Sequence, residues 1–411
     1  MPKFKIKLKQ HTPIIHFQHD QKGATLRASE LKPKLDKFLI KHAFDNNFEK
    51  YKYFLIGWDK TKTERDYKDK KPFDYKISVR SLSNRSCDIE EIYHRNGQER
   101  KNNFPLFFGN MGEENKENPK KFIMSEGIEL FFASFNTSIL EIIKQHICDF
   151  FMNTNFGTRQ SKGFGSFYVD ENDELYVKKR LKYWFVEAST NQRTNIRNEY
   201  KQLFYVIELL YKSLRSGLNE VRGSRGTVFY FKSLMFLYSK LMGIQWDKKS
   251  IKEEYFSNDF KRQQTQYTGS DILNYSSEEK KLMKDILGLS SNESWFFYNR
   301  SNITKKNKDI DRIKSPIFIK PIRYPNGYEI NITNNELENI YGKTFLIMKN
   351  NHGDLQLSFP DKFDLNDFLD FAFTRVNLDD HVDSKYYPTQ QFKILKNVYT
   401  QIRNNLGANN A

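Results

Sequence analysis

The chain has few of the residues and patterns on which disulfide-rich, zinc-binding and membrane-spanning proteins depend. Its 411 residues include only two cysteines, Cys87 and Cys148, which stand far apart and form no CxxC pair. This pattern argues against a disulfide framework or a zinc knuckle and fits a reducing compartment. No run approaches the roughly 18 apolar residues of a membrane-spanning helix, and no apolar signal segment follows Met1. We therefore expect a soluble, cytoplasmic protein that makes no membrane contact.

Signatures of common enzyme classes are also missing. The sequence contains no Walker phosphate loop, no GxSxG nucleophile elbow and no HExxH zinc motif. No Cys or carboxylate cluster follows its histidines at a spacing typical of metal ligands. We therefore expect no catalytic residue, no metal site and no cofactor in this chain.

What the sequence does have is an excess of positive charge together with many aromatic residues. Lys and Arg number 67 against 51 Asp and Glu, which gives a formal net charge of +16, and there are 36 Phe and 23 Tyr. The apolar content supports packed cores rather than disorder, and the length suits two domains. Such a basic globular protein is typical of one that binds a polyanion or an acidic partner. The alternative is that the lysines only keep the surface solvated.

Hydrophobic periodicity predicts a β-α-β-α-β order, with an insertion, over residues 1–180. The N-terminal alternation KFKIKLK is typical of a strand with one buried face. Ser29 is the predicted N-cap of a helix over residues 29–44. A charged insertion with long loops and strand-like pieces is predicted at about 59–121. A strand, a helix over residues 137–152 and a final strand complete this module.

The remainder, residues 181–411, predicts a second module of the same kind. A strand at 183–186 opens it, and residues from about 195 to 300 are predicted to be a large, mostly helical insertion. Strands return at 315–319 and 328–332, and two further helices follow them. We therefore predict an α+β fold of two ferredoxin-like modules, the second with a helical insertion.

The most informative segment is a glycine-rich loop, GTRQSKGFGSF, at Gly157–Phe167. Its glycines permit positive φ and leave backbone amides bare to approach phosphate oxygens. Its Arg and Lys supply surface charge, and its central Phe offers a ring on which a base could stack. The alternative is a structural turn whose Phe lies in the core. The candidate RNA-binding residues of this loop are Arg159, Lys162, Gly163, Phe164 and Gly165.

Two further groups of cations are candidates for phosphate binding. The first surrounds the N-terminal loop and the start of the first helix, where a helix N-terminus beside cations favours a phosphate; a solvated helix face is the alternative. Its candidates are Lys22, Arg27, Lys32 and Lys34. The second is the segment RGSRG at 222–226, which either cradles phosphates through Arg222 and Arg225 or is a flexible loop between helices.

Three segments together resemble the RAMP superfamily of CRISPR-associated proteins. They are TPIIH leading to GATLRASELK near the N-terminus, LFFG at 106–109, and the glycine-rich loop after a helix. The combination is most similar to the tandem-RAMP subunit at the head of type III-B Cmr effector complexes. RIKSPI at 312–317 is similar to the opening of the second module of that family. The chain departs from the family at Lys32-Pro33, where Lys-Gly is usual, and in its few glycine-loop arginines.

The resemblance implies two RAMP- or RRM-like modules and a non-catalytic, RNA-binding role. It implies that the chain caps the guide RNA near its 3′ end and helps to capture target RNA in antiviral defence. The implied partners are guide RNA, target RNA and other RAMP subunits, which would supply catalysis. Two alternatives stay open: a RAMP endoribonuclease that uses His16 or Asp20, and a non-enzymatic protein that binds an acidic partner.

Overall fold

The computed structural model is a mixed fold of helices and strands, as the predicted α+β class requires. It describes residues 1–16, 25–67, 71–89, 91–96, 98–102, 104–105, 121–188, 196–222, 226–256, 279–295, 301–337 and 340–408. These residues form two compact units. The first comprises the described residues up to Phe204 together with Phe318–Thr333, and the second comprises Tyr205–Ile317 and the described residues from Asn334 onward.

The strands and helices of the described residues are numbered here in chain order. The strands are β1 (Lys3–Gln10), β2 (Lys76–Arg80), β3 (Ser83–Asp88), β4 (Glu91–Arg95), β5 (Gln98–Asn102), β6 (Lys121–Glu126), β7 (Ile128–Ala133), β8 (Phe167–Val169), β9 (Tyr183–Ala188), β10 (Leu218–Val221), β11 (Thr227–Phe231), β12 (Leu289–Ser290), β13 (Asn292–Trp295), β14 (Ser301–Lys306), β15 (Arg312–Ile313), β16 (Ile317–Tyr324), β17 (Gly327–Asn334), β18 (Thr344–Met348) and β19 (Leu355–Ser358). The helices are α1 (Ala28–His42), α2 (Phe48–Tyr51), α3 (Thr137–Met152), α4 (Ile196–Arg215), α5 (Leu234–Leu241), α6 (Asp247–Tyr255), α7 (Leu365–Asp370), α8 (Leu378–His381) and α9 (Gln390–Ala408).

A four-stranded antiparallel sheet forms the centre of the first unit, in the order β2-β7-β1-β8. Ile6 and Leu8 of β1 are buried, as the alternation of apolar and lysine residues predicts. Together with α1 and α3, these four strands follow one another along the chain as β-α-β-β-α-β. This order supports the ferredoxin-like assignment of the first module, which stays a prediction.

The spacing of apolar residues correctly predicts the range of helix α3. It spans Thr137–Met152, the predicted range. Ile139, Ile143 and Ile147 recur at the helical spacing of four and are fully buried. The insertion predicted at 59–121 contains more strand than expected, since β2, β3, β4 and β5 lie within it.

A second sheet in the first unit is built from strands that are distant in sequence. Its order is β16-β17-β9, and β9 pairs with β17 in antiparallel register from Tyr183 opposite Ile332 to Ala188 opposite Gly327. The predicted module boundary at residue 180 places these strands in the second module. That boundary stays a prediction, because it concerns modules of the fold and not the division of the chain into compact units.

The second unit holds a four-stranded sheet in the order β13-β14-β18-β19 and two strand pairs, β10-β11 and β12-β15. The stretch at about 195–300 was predicted to be mostly helical, and α4, α5 and α6 lie in it. It also contains strands β10 to β13, so the helical description is incomplete. The hairpin strand β11 reads TVFYF, a β-branched and aromatic run that favours a strand.

Candidate nucleic-acid interface

The glycine-rich loop, Gly157–Phe167, folds back against the end of β1 and the TP turn that follows it. Backbone and hydroxyl groups of both segments join them. The hydrogen bonds include those from Gly165 N to Pro13 O (2.9 Å), from Thr158 N to Ile15 O (2.7 Å), from Ser166 N to Thr12 Oγ1 (2.9 Å) and from Thr12 Oγ1 to Gly163 O (2.6 Å). The hydroxyl of Thr12 therefore donates one hydrogen bond to the loop and accepts another from it.

The amides of the three loop glycines all donate hydrogen bonds within the protein. Gly157 N donates to Glu30 Oε1 at 2.9 Å, and Gly163 N donates to Gln160 O at 3.3 Å. Gly165 N donates to the TP turn. The prediction that the glycines leave these amides bare for phosphate is therefore wrong for Gly157, Gly163 and Gly165, because all three donors are already used.

The glycines are required by the backbone itself. Gly157, Gly163 and Gly165 have φ values of 78°, 87° and 63°. A Cβ atom at Gly165 would lie 2.0 Å from Phe156 O, and one at Gly157 would lie 2.6 Å from Ile15 O. These contacts support the interpretation of the loop as a structural turn.

Phe164 lies in the core and does not project from the loop. Its exposed fraction is 0%, and its ring stacks on Phe204 with centroids 3.7 Å apart and planes 6° apart. The ring of Phe122 is nearly parallel to that of Phe164, with their centroids 6.0 Å apart. The predicted exposed ring is therefore wrong, and Phe164 is not available to stack on a base in this conformation.

The two loop cations differ in exposure. Lys162 is buried, with 7% of its surface exposed, so its predicted place on the surface is wrong. Its backbone forms a parallel bridge with Ile319 of β16, which ties the loop to the second sheet. Arg159 is half-buried and has a φ of 55°, unusual for a residue with a Cβ. Of the two, Arg159 stays the candidate RNA contact.

Helix α1 begins earlier than predicted. Its N-cap is Arg27, whose carbonyl accepts from Leu31 N at 2.9 Å, and not Ser29. The half-buried Arg27 therefore stands at the helix N-terminus, where partial positive charge and a cation favour an anion. Lys22, predicted beside it, lies outside the described residues.

Lys34 is committed to internal contacts. Its ammonium donates to Glu30 Oε1 (2.7 Å), Asn155 O (3.0 Å) and Gln160 Oε1 (2.9 Å), and a lysine ammonium has three donors. Burial lowers its pKa, an effect that Glu30 opposes. Lys34 thus connects α1 to the glycine-rich loop, and these contacts do not support its predicted RNA contact.

Lys32 is held in the same way on the other side of α1. Its ammonium donates to Asp36 Oδ2 and to Phe73 O, both at 2.8 Å, and lies 4.1 Å from the ring centroid of Tyr75. Burial raises the pKa of the Asp36 carboxyl, and Lys32 opposes this shift. The contacts of Lys32 stabilise the packing of α1 and leave its predicted RNA contact without support.

A buried lysine that the sequence did not reveal completes the support of the loop. Lys320 in β16 is 0% exposed and donates to Thr154 O (2.9 Å), Asn155 Oδ1 (3.1 Å) and Phe167 O (2.8 Å). Burial, with a smaller contribution from Lys34, holds its pKa well below the usual range. Nothing in the strand IFIKPIRY distinguishes this lysine, since its acceptors are more than 150 residues away.

His11 is a buried neutral histidine beside the loop. Its Nδ1 accepts a hydrogen bond from Arg323 N at 2.9 Å. Burial, followed by the cations Lys320, Lys9 and Arg323, holds its pKa well below 6.5. His16, proposed above as a general base, is also buried, and Asp20 lies outside the described residues.

We expect His11 to make the protein less stable in acid. The unfolded chain takes up the proton at the ordinary pKa near 6.5, whereas the folded chain resists it. The free energy of unfolding should therefore fall as the pH drops below about 6.5, by at most about 1.4 kcal/mol per pH unit for this one group. His11→Asn should offer its Oδ1 as the acceptor in place of Nδ1, without the titration. Urea unfolding of both proteins from pH 7.5 to 5 measures the difference, and parallel pH profiles would contradict the assignment.

The RGSRG segment lies between two strands, so the alternative of a loop between two helices is wrong. It lies between β10 and β11, where Arg222 N donates to Gly226 O at 3.1 Å. Arg222 is exposed and stays a candidate RNA contact. Arg225 lies outside the described residues.

A surface that sequence reasoning passed over is the basic strip, defined here as Lys178–Trp184, KKRLKYW. Its last two residues begin β9, where the sequence predicts a strand. Its signal is a run of four cations within five positions, followed directly by two aromatic residues. Cations next to aromatic rings are typical of segments that bind single-stranded RNA. Lys178, Arg180 and Lys182 are exposed, and Trp184 is half-buried.

Two general features of the described residues bear on the kind of site. Within the described ranges, no group of three or more His, Cys, Asp or Glu side chains is placed to hold a metal ion. In the part of the chain that the structure describes, no helix combines the length and the apolar character needed to cross a bilayer.

Comparison with known proteins gives matches along nearly the whole chain. The family model of the Cmr1 N-terminal domain matches residues 1–218, and the family model of the Cmr1 C-terminal domain matches residues 230–399. A search of curated proteins finds no match.

Proposed function

Because the chain belongs to the Cmr1 family, a subunit family of type III-B CRISPR complexes, we propose that it is an RNA-binding scaffold subunit of the Cmr ribonucleoprotein. In this role it caps the guide RNA near its 3′ end and helps to capture target RNA in antiviral defence. Its partners are the two RNAs and other RAMP subunits in the cytoplasm. The observation that carries the proposal is the match of both Cmr1 domain models.

The physical basis of binding is the positive charge of the chain, +16 in total. Among the predicted cations, Arg27, Arg159 and Arg222 are half-buried or exposed and are the best placed to contact phosphate. Lys22 and Arg225 stay candidates on their sequence positions. Sequence recognition then comes from pairing between guide and target, so the subunit needs to hold RNA by shape and backbone.

The scaffold role assigns no chemistry to this chain, and neighbouring subunits carry out cleavage. The cation-rich loops would bind and orient RNA, whereas a general base must reach the proton that it removes. The buried position of His16 favours this division over the endoribonuclease alternative.

We expect RNA binding to depend steeply on salt. A protein that neutralises three or more phosphates of single-stranded RNA releases counterions, so its affinity should fall at least about tenfold between 50 and 200 mM salt. Fluorescence anisotropy of the full chain with a labelled 20-nucleotide oligouridine measures this slope.

The control is an uncharged oligonucleotide analogue of the same sequence, which should show almost no salt dependence. A flat salt response for the RNA, or no RNA binding by the full chain, would contradict the proposal and favour an acidic protein partner.

A further inference from the structure

We propose that the basic strip is a further RNA contact of this chain, one that takes the phosphates and one base of a single-stranded segment. The inference rests on the proposed RNA-binding function, since it takes RNA as the ligand. It concerns residues outside the glycine-rich loop, the start of α1 and the RGSRG segment.

Two hydrogen bonds hold the backbone at the strip and just before it. Val177 O, just before it, accepts from Tyr168 Oη at 2.7 Å, and Leu181 N donates to Asn331 Oδ1 at 2.9 Å. The Leu181 side chain packs against the core of the first unit. A segment held in this way presents its side chains without a large ordering cost on binding.

The charge of the strip is only partly compensated. Lys179 pairs with Asp149 at 3.0 Å, and Arg180 pairs with the buried Glu329 at 2.8 Å. Lys178 is exposed and forms no ion pair with any residue that the structure describes. Lys178 thus adds positive charge to the strip beyond these two ion pairs, which favours a phosphate backbone.

Arg180 lies over the ring of Trp184, and these two side chains are called the platform here. The guanidinium carbon lies 4.0 Å from the ring centroid of Trp184, and Glu329 Oε2 holds the guanidinium edge through both Nε and Nη2. The Arg180 side chain is nevertheless 42% exposed. A base can therefore stack on the outer guanidinium plane and extend the existing stack, as unpaired RNA bases do on arginine.

Lys50 and Lys62 are surface lysines that each pair with one carboxylate, and they offer a matched control. Lys50 pairs with Asp45 at 2.6 Å, and Lys62 pairs with Asp59 at 4.0 Å. Their charges are neutralised by single neighbouring carboxylates. A phosphate gains less there than at the strip, because it must compete with a carboxylate for each cation.

The first test compares two double variants that remove the same formal charge. Lys178→Ala with Lys182→Ala should weaken binding of labelled oligouridine by at least about fivefold at 100 mM salt and lower the salt slope by about 1–2 units. Lys50→Ala with Lys62→Ala should change the affinity less than about twofold. Equal effects of the two double variants would overturn the inference, because charge alone would then explain the loss.

The second test removes the platform and keeps the charge. Arg180→Lys should weaken binding at least about fivefold, the loss expected for one stacked base, with an unchanged salt slope. Unaltered affinity in both Arg180→Lys and the strip double variant, with normal binding by the wild type, would overturn this inference alone. Failure of the wild-type chain to bind RNA at all would instead overturn the proposed function.

Discussion

Replacing Gly165 with alanine is expected to lower the free energy of unfolding by at least about 4 kcal/mol. The φ of 63° is costly for any residue with a Cβ. In addition, the new Cβ would stand 2.0 Å from Phe156 O, a backbone atom that cannot move aside cheaply. The hydrogen bond that Phe156 N donates to Gly165 O, 2.9 Å long, would also be disturbed. Urea denaturation followed by fluorescence measures the loss.

Gly57→Ala provides the control for backbone conformation alone. Gly57 has a φ of 66°, but the nearest atom to its added Cβ is the mobile Lys62 Nζ at 3.4 Å. The expected cost is about 1–2 kcal/mol, which is the left-handed strain by itself. Equal losses in the two variants would show that the close approach at Gly165 contributes nothing.

The fold class was predictable because local patterns carry it. The alternation in β1 and the four-residue spacing in α3 are set by neighbours in sequence, and both elements lie where the pattern placed them. The extra strands β10 and β11 were missed inside a helical stretch. They form only as a pair, with Leu218 opposite Phe231, and a short pair gives a weak periodic signal.

The candidate site was harder to predict, because its contacts are long-range. The ring of Phe164 is buried by Phe204, forty residues further along the chain, and the amide of Gly157 is bound by Glu30. A bare loop and a filled turn have the same sequence of glycines and cations. Only the partners from other segments distinguish them, and they favour the turn.

Long-range contacts also determine which lysines are held inside the protein. Lys34 and Lys320 each satisfy three hydrogen bonds with acceptors that no motif announces. Counting positive charge in a segment therefore overestimates the phosphate contacts that it offers. Local pattern did not mark the basic strip either, although Lys178 is exposed.

The second unit contains a buried charge cluster whose disruption should also have a large effect. Lys305 is 1% exposed, and its ammonium donates to Asp285 Oδ2 and, at 3.0 Å, to Glu293 Oε2. Lys284 donates to both oxygens of Glu293 at 2.6 Å. Arg215 reaches Asp285 Oδ1 at 3.4 Å. Each of these two carboxylates thus contacts more than one cation, and Asp285, Lys284 and Lys305 are buried.

The buried carboxyl of Asp247 belongs to the same cluster, so three cations face three carboxyl groups. Lys305→Met should lower the free energy of unfolding by about 3–5 kcal/mol, because it leaves those three carboxyl groups with two cations. The matched control is Lys396→Met. Lys396 pairs with Asp379 at 2.8 Å, but the two side chains are 50% and 41% exposed, so its loss should cost less than about 1 kcal/mol. Adding Asp285→Asn to Lys305→Met should restore part of the stability, since two cations, Lys284 and Arg215, then face two carboxyl groups. A loss for Lys305→Met no larger than that for Lys396→Met in urea denaturation would show that water or neighbouring cations compensate the cluster.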